Sequence, residues 1–162
     1  MKTLWIARHA EAASHPRDSM RPLTLRGKQQ ALSTGTALFH ESPSDLHVIC
    51  SAAKRTVETL AQWTSCSDWT ASTELHDALY LADSKTLLQR ICNTDDHITH
   101  LCILAHNPGT SDLIHYVSRQ HHGLEPGEIA QTALSVKSWS EVSEGFGQLV
   151  RIFKPETQVS QP

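Results

Sequence analysis

Lys2-Thr3-Leu4-Trp5-Ile6-Ala7-Arg8-His9-Ala10 is an apolar run that stops abruptly on an arginine and a histidine. Leu4, Trp5 and Ile6 favour a pleated, buried strand, and the Ala-rich polar stretch after His9 offers nothing to continue it. Such a strand delivers a cation and an imidazole to its carboxyl end, which in open α/β sheets is where ligands bind. A lone Arg-His pair is more often an ordinary surface pair than a site, because a two-residue pattern matches readily by chance. Three later segments change that reading.

The rest of the chain alternates between strand and helix patterns. Residues 11–21 are polar and contain Pro16, with Pro22 just beyond, which predicts a loop over the first strand's carboxyl end that brings Arg17, Asp18 and Arg21 within reach of it. Thr24 is an N-cap for a helix running to about Phe39, with Leu25, Ala31, Leu32, Gly35 and Leu38 on its apolar face. Leu46 to Cys50 is a second short apolar strand, and a helix over Ser51 to Leu60 begins where it stops. Arg55 falls in that helix's first turn, beside N–H groups that have no intrahelical partner, an arrangement suited to an anion.

Trp69 to Leu75 reads as a short third strand, and Asp83 or Ser84 caps a helix through Leu87, Leu88 and Ile91. His100 to Ala105 is the clearest buried strand, ending in His106-Asn107-Pro108-Gly109. There Asn107 reads as the N-cap and Pro108 as the first residue of a helix that uses Leu113, Ile114 and Val117. Thr132 to Trp139 and Gln148 to Phe153 read as an edge hairpin joined through Gly145 and Gly147. This alternation implies an α/β protein, a three-layer α/β/α sandwich around a mostly parallel mixed sheet of about six strands.

At 162 residues and 18.0 kDa the chain fits one domain, residues 1–154, with a flexible polar tail over residues 155–162. A net charge of -3 gives no global basic field, so nucleic acid is not an expected partner and any anion site must be local. No apolar run reaches membrane-spanning length and the first residues lack a signal-peptide pattern, so a cytoplasmic monomer is expected, without membrane contact. Cys50, Cys92 and Cys102 lie in apolar segments and Cys66 in a polar one, with no CxxC pair, so reduced cysteines are expected rather than disulfides or a zinc site. Most of the 11 histidines, including His40, His47, His97, His121 and His122, fall in polar stretches and read as solvated surface residues, not metal ligands.

Three strand ends therefore carry Arg8-His9, the Ser51 to Arg55 turn, and His106. Two arginines and two histidines in one crevice suit a phosphoryl group: guanidinium forks match its oxygens, and a neutral imidazole has a lone pair without needing a base. A unit charge about 4 Å away, at an effective dielectric near 20, is worth roughly 4 kcal/mol, so a close arginine disfavours the imidazolium. The residues alone leave His9 and His106 equivalent as nucleophiles.

Taken in order, these segments resemble the histidine phosphatase superfamily, with its phosphoglycerate-mutase-like fold, and most closely its small bacterial phosphohistidine phosphatases of the SixA type. The carriers are Arg8-His9-Ala10, Arg21-Pro22-Leu23-Thr24 with Gly27, Ser51 to Thr59 with Arg55-Thr56 inside it, and Ala105-His106-Asn107-Pro108-Gly109. The resemblance implies that His9 is phosphorylated in line, that Arg8, Arg55 and His106 bind the phosphoryl oxygens, that Arg21, Ser51 and Asn107 contact substrate, and that no metal or cofactor takes part. Both acid positions familiar from the superfamily are vacant: the stretch from Glu74 to Asp83 is too short for the mutase glutamate, and Asn107 stands where acid phosphatases carry an aspartate. That counts against an alkoxide leaving group.

The function expected is hydrolysis of phosphohistidine on a phosphotransfer or carrier protein, releasing phosphate. The alternatives are a phosphatase for small phosphomonoesters, with Glu11, Asp18 or Asp77 as acid, and a catalytically silent phosphate-binding domain.

Overall fold

A computed structural model of the chain describes residues 1–66 and 68–156. Most of the expected tail, residues 157–162, lies outside them; its first part does not, and the Glu156 N–H donates to Ser33 Oγ at 2.9 Å. The elements are β1 (Lys2–Arg8), α1 (Leu25–Glu41), β2 (His47–Ser51), α2 (Lys54–Thr64), β3 (Ser72–His76), α3 (Ser84–Cys92), β4 (His100–Ala105), α4 (Gly109–Ser118), β5 (Ile129–Leu134) and β6 (Gly147–Phe153), with short 3-10 turns at Asp18–Met20, Asp77–Leu79 and Trp139–Glu141. They build one six-stranded sheet in the order β3-β2-β4-β1-β5-β6. The first four strands in the chain pair in parallel, β5 runs antiparallel to β1, and β6 antiparallel to β5.

The central strands are apolar on both faces, as a doubly covered parallel sheet requires. Leu4 and Ile6 of β1, Ile49 of β2, and Leu101, Ile103 and Ala105 of β4 pack with Leu87 and Ile91 of α3 and Leu113, Ile114 and Val117 of α4. Their neighbours in the period-2 alternation, Trp5, Ala7, Val48, Cys50, Cys102 and Leu104, pack with Ala31, Leu38, Leu60 and Trp63 of α1 and α2. The three-layer α/β/α sandwich expected from the sequence is the observed architecture.

Several expectations need correction. The buried face of α1 is Gly27, Ala31, Thr34, Gly35 and Leu38, while Leu25 and Leu32 are exposed. Helix packing sets this face: Gly35 lies against Trp63, and a Cβ there would come within 2.5 Å of the indole. The fifth strand runs Ile129–Leu134 instead of from Thr132 to Trp139, because it pairs with β1 from Ile129 onward, and Trp139 is buried in the 3-10 turn that follows. α2 begins at Lys54, three residues later than expected, and α4 at Gly109, with Pro108 at the N-cap position. His47 is not a surface residue. It is buried in β2, with Nδ1 2.6 Å from Ser72 Oγ and Nε2 3.2 Å from Glu74 Oε1.

Candidate active site

Register brings the key residues together. Arg8 pairs with Ala105, and Cys50 with Leu104, so β1, β4 and β2 end level with one another. His9, His106 and Ser51 are the next residues to emerge. The His9 and His106 rings stand 5.2 Å apart between centroids, and His106 Nε2 lies 2.7 Å from Ser51 Oγ. Arg55 reaches the same point from α2, 2% exposed.

Two threonines of α2 fix that helix on the strand ends. Thr56 Oγ1 lies 2.7 Å from the carbonyl oxygens of both Ser51 and Ala53. Thr59 Oγ1 donates to the Arg55 carbonyl at 2.7 Å and accepts the Ala10 N–H at 3.1 Å. The α1 side is held as closely: Thr24 Oγ1 accepts from the Gly27 N–H, and the Leu23 N–H donates to Glu58 Oε2 at 2.7 Å.

The protonation of His9 follows from its partners. Its Nδ1 lies 2.7 Å from the Ala10 carbonyl oxygen, which can only accept, so Nδ1 carries the proton. Nε2 therefore keeps the lone pair, and it accepts Arg55 Nε–H at 3.2 Å. The His9 pKa is lowered to about 4, by burial first and then by Arg55, Arg8 and Arg21, against the Ala10 hydrogen bond, which raises it. His106 is lowered to about 3, again by burial first, then by His9 and Arg55. The charge of a nearby arginine, the main factor expected from sequence, ranks behind desolvation.

Arg8 Nη1 donates to the Leu124 carbonyl at 2.9 Å. Asn107 Nδ2 donates to the same oxygen at 2.8 Å, and its Oδ1 accepts from Thr110 Oγ1, Ser111 N and Ser111 Oγ. The Asn107 amide thus ties the α4 entry to the 121–128 loop. Arg21 stands at the edge: Nε donates to the Ala13 carbonyl at 2.9 Å, and Nη1 reaches Asp18 Oδ1 at 3.4 Å. Buried Arg8 Nε and His106 Nδ1 have no hydrogen-bond partner among the described residues.

Of the acidic candidates, Glu11 is engaged by Thr24 Oγ1 at 2.8 Å and by Arg26 at 3.5 Å. Asp77 is exposed at the start of a 3-10 turn. Asp18 contacts Arg55 directly, its Oδ2 3.2 Å from Nη2 and its backbone oxygen 2.9 Å from Nη1. The Tyr80 hydroxyl donates to the same Oδ2. These partners, Tyr80 foremost and then Arg55, hold the Asp18 carboxyl below its usual range, so it is ionised at neutral pH. Tyr80 lies between Leu79 and Leu81, so nothing in its local pattern signals a partner at the site. Among the described residues no group of three or more His, Cys, Asp or Glu side chains is arranged to hold a metal.

No family model matches the chain. An uncharacterized protein of Mycobacterium tuberculosis is 34% identical over 109 residues, which cover 65% of this chain and 66% of that protein, just under two thirds of its length. A candidate phosphohistidine phosphatase SixA from Nakamurella multipartitia superposes with a TM-score of 0.86 at 23% identity, over 96% of this chain and 97% of that one. The protein histidine phosphatase SixA complexed with tungstate gives 0.80 at 22%, over 94% and 97%. An alpha-ribazole phosphatase from Shigella flexneri gives 0.70 at 18%, over 94% and 96%. The chain has the phosphoglycerate-mutase-like α/β fold, in an outline that it shares over nearly its whole length with the SixA proteins.

Proposed function

We propose that this protein is a phosphatase that removes the phosphoryl group from phosphohistidine on a partner protein, through a covalent intermediate on His9. The observation that carries the reading is the fixed tautomer of His9: the Ala10 carbonyl holds the proton on Nδ1, leaving the Nε2 lone pair among Arg8, Arg55 and His106. In the first step Nε2 attacks phosphorus, the Nε2–P bond forms, and the bond from phosphorus to the partner imidazole breaks. That imidazole leaves neutral when its other nitrogen already carries a proton. In the second step water attacks phosphorus, the P–Nε2 bond breaks, phosphate departs with one water proton released to solvent, and His9 returns in its starting tautomer. Because Nδ1 stays protonated throughout, the leaving imidazole of His9 is neutral too. Arg8, Arg55 and His106 stabilise the charge on the transferring group.

Two features support a protein substrate. The connection from β3 to α3 is only residues 77–83, with no insertion to cover the site. Met20 and Leu81, next to the paired residues Asp18 and Tyr80, are exposed apolar side chains at the rim. The ionised Asp18 and the engaged Glu11 leave neither of them as a ready acid, which favours a leaving group that needs none.

A second reading, hydrolysis of small phosphomonoesters, is favoured by the likeness to an alpha-ribazole phosphatase. Comparing turnover of a phosphohistidine carrier protein with turnover of phosphoserine and sugar phosphates separates the two. Faster release from the phosphoprotein is expected, and faster release from the alkyl esters would favour the second reading.

A further inference from the structure

Every nitrogen of the Arg55 guanidinium has an acceptor in this structure. Nε gives to His9 Nε2 at 3.2 Å, Nη1 to the Asp18 carbonyl at 2.9 Å, and Nη2 to Asp18 Oδ2 at 3.2 Å. The Asp18 carboxylate is pinned from the other side by the Tyr80 hydroxyl and by Arg21. The Tyr80 ring stands edge-on to the His106 imidazole, 5.7 Å between centroids at 87°, and Arg55 Cζ lies 5.8 Å from its centre. A carboxylate thus sits on the guanidinium edge that a phosphoryl group on His9 would use. Two anions on one edge repel each other, so one must yield.

We propose that Asp18 and Tyr80 form a displaceable clasp that occupies Arg55 until a phosphoryl group takes its place, and that this clasp sets which anions the site admits. The inference rests on the phosphatase reading above. Free phosphate must displace the resident carboxylate with its own contacts alone. A phosphoryl group carried on a docked protein arrives with the added contacts of its carrier and displaces it more easily. Asp18 is a specificity-determining residue, and Tyr80 is a positioning residue that acts through it. The clasp opens by exchange: Arg55 passes from His9 Nε2 and Asp18 to phosphoryl oxygens, which also frees the lone pair for attack.

The test is titration of inorganic phosphate into the full chain by calorimetry, with wild type, Asp18→Asn, Tyr80→Phe, the double variant, Arg55→Ala and Arg55→Lys. Asp18→Asn is expected to bind phosphate about tenfold more tightly or better, the scale on which one adjacent charge shifts an equilibrium. Tyr80→Phe should tighten binding less, and should add nothing in the Asp18→Asn background, since coupled residues are non-additive. With an aryl phosphate, KM should fall in Asp18→Asn without a matching rise in kcat. If the Arg55 variants lose phosphate while Asp18→Asn binds no better than wild type, the clasp is wrong and the phosphate site stands. A further shift from Tyr80→Phe on top of Asp18→Asn overturns the positioning role of Tyr80. If no variant binds phosphate, or the Arg55 variants bind it as wild type does, the phosphatase reading fails and takes the clasp with it.

Discussion

The imidazoles of His9 and His106 lie side by side at the end of the sheet, with pKa values lowered to about 4 and about 3, chiefly by burial. In the unfolded chain each would titrate near 6.5. Between those limits the unfolded state binds more protons than the folded one, so stability is complete above roughly pH 6.5 and is lost as the pH falls toward 4. Titration of the ring signals by NMR should show both histidines neutral down to about pH 5, and denaturant melts should give a lower midpoint at pH 5 than at pH 7. Ring titration near 6.5 would mean that the imidazoles are solvated and the pocket is not dry.

Arg8, His9, Arg55 and His106 were legible in the sequence because each stands next to a strand end or a helix start. Asp18 and Tyr80 meet from positions 62 residues apart. Nothing in either local pattern announces the pairing.

At the scale of elements, side-chain bonds between segments place the site more than helix propensity does. Thr59 is the clearest case, because its hydroxyl bridges the Arg55 carbonyl and the Ala10 N–H. Thr59→Val keeps the shape and removes both bonds, leaving a buried N–H without a partner. It should cost about 1–3 kcal/mol of stability and lower kcat through the displaced His9, as read by thermal melting and steady-state rates. Wild-type values for both would show that α2 is placed by packing alone.

Gly27 is a second test, since a Cβ there would meet the Glu11 carbonyl oxygen at 2.0 Å. Gly27→Ala forces backbone to move and should cost about 1–3 kcal/mol. The start of α1 was readable from Thr24, which caps it as expected. Its buried face was readable in part: Ala31, Gly35 and Leu38 lie on it as expected, but Leu25 and Leu32 are exposed and the polar or side-chain-free Thr34 and Gly27 are buried instead, which hydropathy does not encode. His47 differs from expectation likewise: a polar ring suggests solvent, but it lies in β2 and its partners Ser72 and Glu74 are on the adjacent strand.

For the whole molecule, the strand–helix alternation was enough to read the layers, the parallel character and the edge hairpin. The strand order was not readable, since it depends on which sheet edge each helix crosses toward. The molecular outline bears on substrate choice, because the β3–α3 connection is short and, of the acidic candidates, Asp18 is ionised and Glu11 engaged. Rates should then depend steeply on the leaving group, with phosphohistidine and aryl phosphates far faster than phosphoserine. Glu11→Gln and Asp77→Asn should each leave alkyl-phosphate turnover, measured as initial rates, near wild type, and Asp18→Asn should not lower it. A positioned acid is worth about 10²- to 10⁴-fold, so a loss of that size in one variant, confined to alkyl esters, would identify an acid and favour the small-ester reading.

The most direct test of phosphoryl transfer through His9 is intact-mass measurement of the protein, rapidly quenched under alkaline conditions after mixing with a phosphohistidine-bearing carrier protein. Wild type should show a transient, acid-labile phosphoryl adduct that maps to His9, attached through Nε2, and that decays as phosphate appears. His9→Ala should show neither adduct nor phosphate release. Phosphate release by His9→Ala at a near-normal rate, or an adduct on His106 in the wild type, would contradict the assignment of His9 as nucleophile.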